Sequence, residues 1–255
     1  MKLLILLCLI GVCVSKPASK ESDSVNGMPN FPKCSATDSN INECMKSLFQ
    51  QMVPLTKNGI KELNIPPLDP FVIEKSNYQY SNGAVQGRIT VRNVRVHGMS
   101  NAVVENVDFR LNGDKLDVDF IAKVPNMAVE GTYKAEMKIN DVKMTPKGVF
   151  NVSMTDITIK SHPSGELYER DGHTYLRLTS FDSQPEVGDM HIYATGLVPD
   201  PNLNTLLLDY VNQYWRPIYT AMLPETRSTW EPFMLQTAND ILSKTPFDMF
   251  VTKKK

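Results

Sequence analysis

The sequence predicts an α+β fold in which a long C-terminal helical segment lies in the curl of a highly curved antiparallel sheet. Three observations predict it. Apolar and polar residues alternate from about residue 71 to 197, two of these strands change phase midway, and from residue 202 the apolar residues return at helical spacing. A helix with a broad apolar stripe must bury that stripe, and a sheet with one dry face is the partner that this chain offers.

The first 15 residues have the pattern of a secretion signal. Lys2 precedes a run of apolar residues that ends in small residues at Cys13 and Ser15. The run of about 12 residues is well short of the roughly 20 that span a bilayer. We therefore expect a cleaved signal peptide at 1–15, an extracellular protein without stable membrane insertion, and a flexible polar arm at 16–33.

Cleavage of the leader leaves two cysteines, Cys34 and Cys44. Extracellular compartments favour oxidation, so we expect these two residues to form a disulfide. The alternative is a pair of free thiols or half of a metal site, but no His or further Cys lies nearby to complete a tetrahedral ligand set. We expect neither a metal nor a cofactor.

The charge balance argues against a nucleic-acid partner. The 255 residues carry a formal net charge of −1, whereas nucleic-acid binding demands a clustered basic face. The basic run at 253–255 predicts a solvated tail at 251–255, after a single domain at 34–250. A sequon begins at Asn151, opposite the apolar face of its strand, so a glycan there would lie outside.

Residues 40–58 have the spacing of an amphipathic helix, with Asn40 and Glu43 as a capping pair and Pro54 near its end. The proline-rich residues 65–70 predict a rigid connector, because proline lacks a backbone donor and holds its predecessor extended.

The clearest strand covers residues 127–139, where every second residue is apolar or glycine. Hairpin turns are expected at 112–114 and 171–172. The phase changes after Val91 and after Met154 imply bulges, which bend and twist a sheet.

The C-terminal helical segment covers about 40 residues, or about 60 Å if continuous. Its stripe begins at Leu203, and Pro217, Pro224 and Pro232 interrupt it. An interior proline costs about 3 kcal/mol unless the helix kinks or restarts there, and we expect the restart at Pro224.

Signatures of an extracellular hydrolase are missing. The sequence has no G-x-S-x-G elbow, no H-E-x-x-H helix and no unpaired nucleophilic cysteine in the mature chain. The four histidines fall on strands or turns beside polar residues: His97, His162, His173 and His191. We therefore predict that the protein is not an enzyme.

Methionine is frequent, with thirteen residues, and many lie on the apolar faces. Flexible methionines adapt to ligands, but they also fill gaps in an ordinary packed core. Periodicity alone leaves both alternatives open.

The motifs resemble those of the insect takeout/juvenile-hormone-binding family over nearly the whole mature chain. They are the two cysteines with nine residues between them, the connector Ile65-Pro66-Pro67-Leu68-Asp69-Pro70, the segment 168–176 and the C-terminal Asn212-Gln213-Tyr214-Trp215. A single cysteine pair is closer to the takeout branch. The resemblance implies a TULIP-like super-roll, in which a curved sheet wraps a long helix and encloses an apolar tunnel. It also implies that the protein is a carrier of terpenoids or fatty acyl chains.

The sequence thus predicts a carrier that sequesters one small elongated hydrophobic ligand. Tyr133 is the one polar tip on an apolar face, and its hydroxyl is the candidate to orient the ligand head. We expect a monomer, with a receptor as a further partner that the sequence does not identify. The alternative functions are an extracellular lipid or ester hydrolase and a membrane-acting lipid-transfer protein. The candidate wall residues are Tyr133, Val129, Met137, Phe150, Val152 and Met154 on the sheet, and Val211, Trp215, Ile218, Met222 and Phe233 on the helix.

Overall fold

The computed structural model describes residues 31–61, 65–82 and 85–253. The predicted signal peptide and the arm as far as residue 30 lie outside the described residues. The helices are α1 (Ile41–Leu55), α2 (Pro201–Gln213) and α3 (Trp215–Leu242), and short 3-10 turns cover Met99–Asn101 and Phe247–Met249. The strands are β1 (Cys34–Ser35), β2 (Phe71–Asn82), β3 (Val85–His97), β4 (Val103–Asn112), β5 (Lys115–Ile139), β6 (Val142–Met144), β7 (Lys147–Arg170), β8 (His173–Glu186), β9 (Asp189–Ala194) and β10 (Val251–Thr252).

One antiparallel sheet dominates the fold, as the alternating pattern predicts. Its path is β2-β3-β5-β7-β8, and β4 and β6 pair with β5 while β9 pairs with β7. The 25-residue β5 and the 24-residue β7 form its centre. The α+β class is therefore confirmed.

The sheet curls around α3. Phe71, at the start of the first strand β2, lies 6.5 Å from Phe233 of α3 between ring centroids. On the same helix Tyr219 donates its hydroxyl to the Pro185 carbonyl of β8, at the other end of the sheet path. Because one helix contacts both ends of the path, the sheet wraps it as predicted.

Both predicted hairpin turns are confirmed. Asn112 pairs with Lys115 around Gly113, which has a φ of 62°. Arg170 pairs with His173 around Asp171 and Gly172, both of which have positive φ. Two successive positive φ values are the geometry of a type I′ turn, which matches the twist of the flanking strands.

The phase change in β3 is a bulge, as predicted. Its register with β5 shifts between Arg92 and Arg95, and Asn93 between them has a φ of 51°.

The phase change in β7 has a different form. The register with β5 is the same on both sides of it, with Asn126 opposite Thr155 and Val124 opposite Ile157. Both strands therefore change phase at the same level of the sheet. The change falls at Pro125 in β5 and at Asp156, which has a φ of 52°, in β7. Gly188 lies at the same level on the other side of β7, and its N–H donates to the carbonyls of Thr155 and Asp156. The bend thus crosses three chain segments.

The disulfide between Cys34 and Cys44 is present, with 5.7 Å between the two Cα atoms. It joins β1 to the first turn of α1. Since β1 pairs in parallel with β10, the disulfide also secures the C-terminal strand. Val251 and Thr252 belong to the segment predicted as a solvated tail, yet Val251 is buried, because β1 offers it a pairing edge.

The predicted capping pair at the start of α1 is wrong. The Asn40 side chain makes no capping hydrogen bond, and its φ of −98° and ψ of 17° differ from the extended geometry of a capping residue. The Asn40 N–H instead donates to Asp38 Oδ1 at 2.9 Å.

The predicted restart at Pro224 is also wrong. The helices break at Tyr214 (φ −112°), and α3 continues past Pro224 and Pro232. Pro217 explains the position of the break, because it lacks the N–H that would bond the Gln213 carbonyl and its ring would clash with that group.

Candidate ligand-binding site

Ten of the eleven predicted wall residues meet in one apolar cluster, which we call the inner cluster. The side chain of the eleventh, Met222, lies outside the described part. The sheet contributes buried side chains from β5 and β7, and the helices contribute buried side chains from α2 and α3, with Ile218 partly buried against them. The buried members are Val129, Tyr133, Met137, Phe150, Val152, Met154, Val211, Trp215 and Phe233.

The register between β5 and β7 places the sheet residues of the inner cluster side by side. Val129 is opposite Val152, and Gly131 is opposite Phe150. A Cβ on Gly131 would lie 3.1 Å from Phe150 Cε1, so the glycine leaves room for the aromatic ring. Alternation on two adjacent strands thus builds one continuous apolar face.

Tyr133 is the residue predicted to orient a ligand head. It is 4 % exposed, and its hydroxyl donates to the Thr195 carbonyl at 2.7 Å. Burial raises the pKa of Tyr133 to about 12, so the phenol stays neutral at physiological pH. Because its proton is used within the protein, the hydroxyl offers a ligand only its acceptor lone pairs.

The helical stripe differs in part from the predicted one. Leu203, where the stripe was expected to begin, is 57 % exposed, whereas Leu208, Val211 and Trp215 are buried. Helix α2 lies along β9, where Asn204 and Asn212 bond the backbone of 192–197. The residues on the opposite side of α2, including Leu203, therefore face solvent.

A cavity of about 400 Å³, largely open to solvent, lies at the end of β3, β5 and β6. Met137 connects it to the inner cluster. Sequence reasoning missed this cavity, although a glycine inside a strand, Gly87, is a signal of close approach by another group. Its lining residues are Gln86, Gly87, Glu136, Met137, Lys138, Lys143, Met144 and Thr145.

The four histidines are at the protein surface, and three of them lie beside carboxylates: His97, His162 and His173. His162 Nδ1 is 2.7 Å from Asp119 Oδ1, and this hydrogen bond, followed by one from Arg110, lowers the pKa of Asp119. Ser164 donates its hydroxyl to Asp117 and not to His162. The described residues contain no group of three or more His, Cys, Asp or Glu placed to hold a metal ion. Within the same part of the chain, no helix combines the length and apolarity needed to cross a bilayer.

Comparison with known proteins decides the family. The profile of the family described as "Haemolymph juvenile hormone binding protein (JHBP)" matches residues 5–252. The chain belongs to this family. The resemblance seen in the motifs is thereby confirmed over almost the entire length.

Relatives of the juvenile hormone binding family agree with this placement. The "Circadian clock-controlled protein daywake" of Drosophila melanogaster is 21% identical over 243 residues, which cover 91% of each chain. The protein of the same description from Drosophila yakuba is 19% identical over 254 residues, which cover 96% of each chain. The crystal structure of Epiphyas postvittana Takeout 1 is 21% identical, with a TM-score of 0.68 over 86% of this chain and 99% of that one. At this identity the structural likeness shows a shared fold.

Proposed function

We propose that this chain is a secreted carrier that holds one elongated apolar molecule between the inner face of the sheet and the helices α2 and α3. The shared apolar face carries the proposal: side chains from β5, β7, α2 and α3 form the inner cluster, and a solvent-open cavity of about 400 Å³ adjoins this cluster at Met137. Sites for small molecules are typically concave, largely apolar and about 300–1,000 Å³ in volume.

Family membership supports the ligand class and the compartment. The family description names a haemolymph protein that binds juvenile hormone. The disulfide between Cys34 and Cys44 fits an oxidising extracellular environment. We infer a juvenile-hormone-like terpenoid, a fatty acid or a similar lipid as ligand, export by the leader at 1–15, and Asn151 as a glycosylation site.

The energetics of such a site suffice for a carrier. Burial of about 400 Å² of ligand surface contributes about 10 kcal/mol at about 25 cal/mol per Å². Association and ordering remove several kcal/mol of this, which leaves a dissociation constant in the micromolar to nanomolar range. Met137, Met144 and Met154, with flexible side chains at or near the site, allow adjustment to the ligand.

Mass spectrometry of the secreted protein tests the proposal directly. After mild organic extraction, we expect an intact lipid or terpenoid in an amount comparable to that of the protein. A labelled juvenoid or fatty ester added to delipidated protein should be recovered unchanged. Steady turnover of the label would indicate a hydrolase, and transfer only in the presence of vesicles would indicate a membrane-acting protein.

A matched pair of variants on β6 tests the position of the site. Met144 lines the cavity, while Val142, two residues earlier on the same strand, is 63 % exposed and does not line it. Met144→Trp should fill the cavity and lower the amount of bound ligand several-fold. Val142→Trp should leave it unchanged, and equal binding by both variants would place the ligand elsewhere.

A further inference from the structure

We propose that Tyr193 and Val149 bind the first N-acetylglucosamine of a glycan on Asn151 and hold this sugar against the outer face of the sheet. The outer face is the side of the sheet turned away from the inner cluster. This inference rests on the glycosylation of Asn151 in the proposed function, and it adds the residues that orient the glycan.

The register of β7 and β9 places Asn151 directly beside Tyr193. The two residues are opposed in the antiparallel pairing of these strands, so their side chains leave the sheet on the same side with Cβ atoms about 4.5–5.5 Å apart. Their neighbours Phe150, Val152 and Ile192 are buried in the inner cluster. Because side chains alternate along a strand, Asn151 and Tyr193 lie on the outer face.

Two apolar side chains next to Asn151 are exposed to water. Tyr193 is 51 % exposed, and Val149, two residues before Asn151 on the same side of β7, is 47 % exposed. The Thr195 N–H donates to the Val149 carbonyl, so Val149 lies diagonally across the strand pair from Tyr193. Diagonal neighbours are within reach of an aromatic ring. The two side chains therefore form one small apolar patch that borders the sequon.

The opposite side of Asn151 is polar, which gives the glycan a direction. On β5 Asn151 faces Glu130. The Glu130 carboxylate is 3.5 Å from His97 Nε2 and 3.9 Å from Arg95 Nη1, both on β3. A sugar that packed toward β5 would displace water from these charged groups, whereas a sugar that packs toward β9 removes apolar surface from water. The second direction is therefore favoured.

Attachment of a glycan costs the fold no side-chain hydrogen bond. Within the described residues, the Asn151 side chain forms neither a hydrogen bond nor an ion pair, and the residue is partly exposed. Ser153, which completes the sequon, is exposed on the same side of β7. The sugar can thus leave the sheet at Asn151 without displacing an existing contact.

A tyrosine ring complements the first sugar in shape and in charge. One side of N-acetylglucosamine presents C–H bonds with a partial positive charge, whereas the face of an aromatic ring is negative. The covalent bond to Asn151 keeps the sugar close to Tyr193, so packing the two together costs little translational freedom. A contact that would be weak between free molecules is therefore populated here.

Iodination of the secreted full chain tests the inference, with peptide mass spectrometry as the readout. The reference is Ser153→Ala, which removes the sequon and keeps Asn151. We expect Tyr193 to be iodinated several-fold more slowly in the glycosylated wild type than in Ser153→Ala, because the sugar covers its ring. Tyr210 on α2, which is 41 % exposed, is the internal control and should react at the same rate in both proteins.

Thermal unfolding separates direct packing from simple shielding. Relative to its Ser153→Ala counterpart, the glycosylated wild type should unfold about 1–4 °C higher, the shift expected for one aromatic contact in a chain of this size. Tyr193→Phe keeps the ring and should keep this shift, whereas Tyr193→Ser should lose most of it. Because Ser153→Ala is common to every pair, its own effect on stability cancels.

The outcomes distinguish this inference from the carrier function. Equal iodination of Tyr193 with and without the glycan, or a thermal shift that survives Tyr193→Ser, overturns the inference and leaves both the glycosylation and the carrier intact. An unmodified Asn151 in the mass spectrum of the secreted protein overturns the inference together with the glycosylation. Lipid extracted from the same sample reports on the carrier independently.

Discussion

The side-chain amide of Asn212 bonds both backbone groups of Ile192. Asn212 Oδ1 accepts from the Ile192 N–H at 2.7 Å, and its Nδ2 donates to the Ile192 carbonyl at 2.9 Å. Ile192 lies in β9, which pairs on one side with β7. Asn239 of α3 makes the same two bonds with Leu178 of β8, at 2.8 and 2.9 Å. The helices thus occupy the sheet edge through amide groups, where another strand would otherwise pair.

Removal of this bridge should destabilise the fold. Asn212→Ala leaves the N–H and the carbonyl of Ile192 without their partners, which should lower the free energy of unfolding by about 2–4 kcal/mol. Asn202→Ala, at an exposed position on the first turn of α2, is the control and should cost less than about 1 kcal/mol. Urea denaturation measures both values. Equal losses would mean that the amide bridge contributes nothing of its own.

The stability contributed by Asp69 should depend on pH. Its carboxylate accepts from the Gly98 N–H, the Ser100 N–H and the Ser100 hydroxyl. Burial alone would raise the pKa of Asp69, but the hydrogen bonds from Ser100 and Gly98 outweigh it and the pKa is lowered. A carboxylate with a lowered pKa stabilises the fold above its unfolded pKa of about 3.9, and this stability is lost as the pH falls through the folded value.

Asp69→Asn should therefore cost about 1–2 kcal/mol at pH 7, because the amide has one acceptor oxygen where the carboxylate has two. The difference from the wild type should shrink as the pH falls below about 4, because the unfolded wild-type chain binds a proton at this carboxyl at a higher pH than the folded chain does. Thermal unfolding at several pH values gives the comparison, with the exposed Asp209→Asn as control. A difference that stays constant down to pH 3 would contradict the assignment.

Gly188 is required by the bend across β5 and β7. A Cβ at this position would lie 2.6 Å from the Cβ of Asp156 and 3.1 Å from the Thr155 carbonyl oxygen. Gly188→Ala should force these segments apart and lower the free energy of unfolding by about 1–3 kcal/mol, as overpacking does. Gly113→Asn is the control, since a side chain at Gly113 meets no atom within 4 Å and asparagine tolerates its positive φ. Similar free energies of unfolding for the two variants would show that the bend accommodates a Cβ at position 188 without loss of stability.

The disulfide should stabilise the contact between the two ends of the described chain. The double variant Cys34→Ser/Cys44→Ser opens a loop with a sequence separation of 10 residues, and it should lower the free energy of unfolding by roughly 2–3 kcal/mol. Since β1 also pairs with β10, the loss should be accompanied by faster amide exchange at Val251. Unchanged amide exchange at Val251 would show that the pairing of β1 with β10 does not depend on the disulfide.

Much of the fold could be predicted from the sequence, because periodicity is a local property of the chain. Alternation in β5 and β7 was enough to place Val129, Tyr133, Phe150 and Val152 on one buried face. Turn residues around Gly113 predicted a hairpin, and Cys34 and Cys44 were expected to bond because they are the two cysteines that remain after cleavage of the predicted leader.

Other features were decided only by contacts between segments that are distant in sequence. The Tyr133 hydroxyl donates to Thr195, 62 residues away, and no local pattern reports this bond. Asn212 selects which side of α2 meets the sheet, so that Leu208 is buried and Leu203 is exposed. The cavity likewise needs Gly87, Met137 and Met144 from three different strands to meet at one end of the sheet. The spacing of apolar residues along the chain determines which residues share a face of a strand or helix. Tertiary packing determines what that face contacts, because each contact also depends on a segment that is distant in sequence.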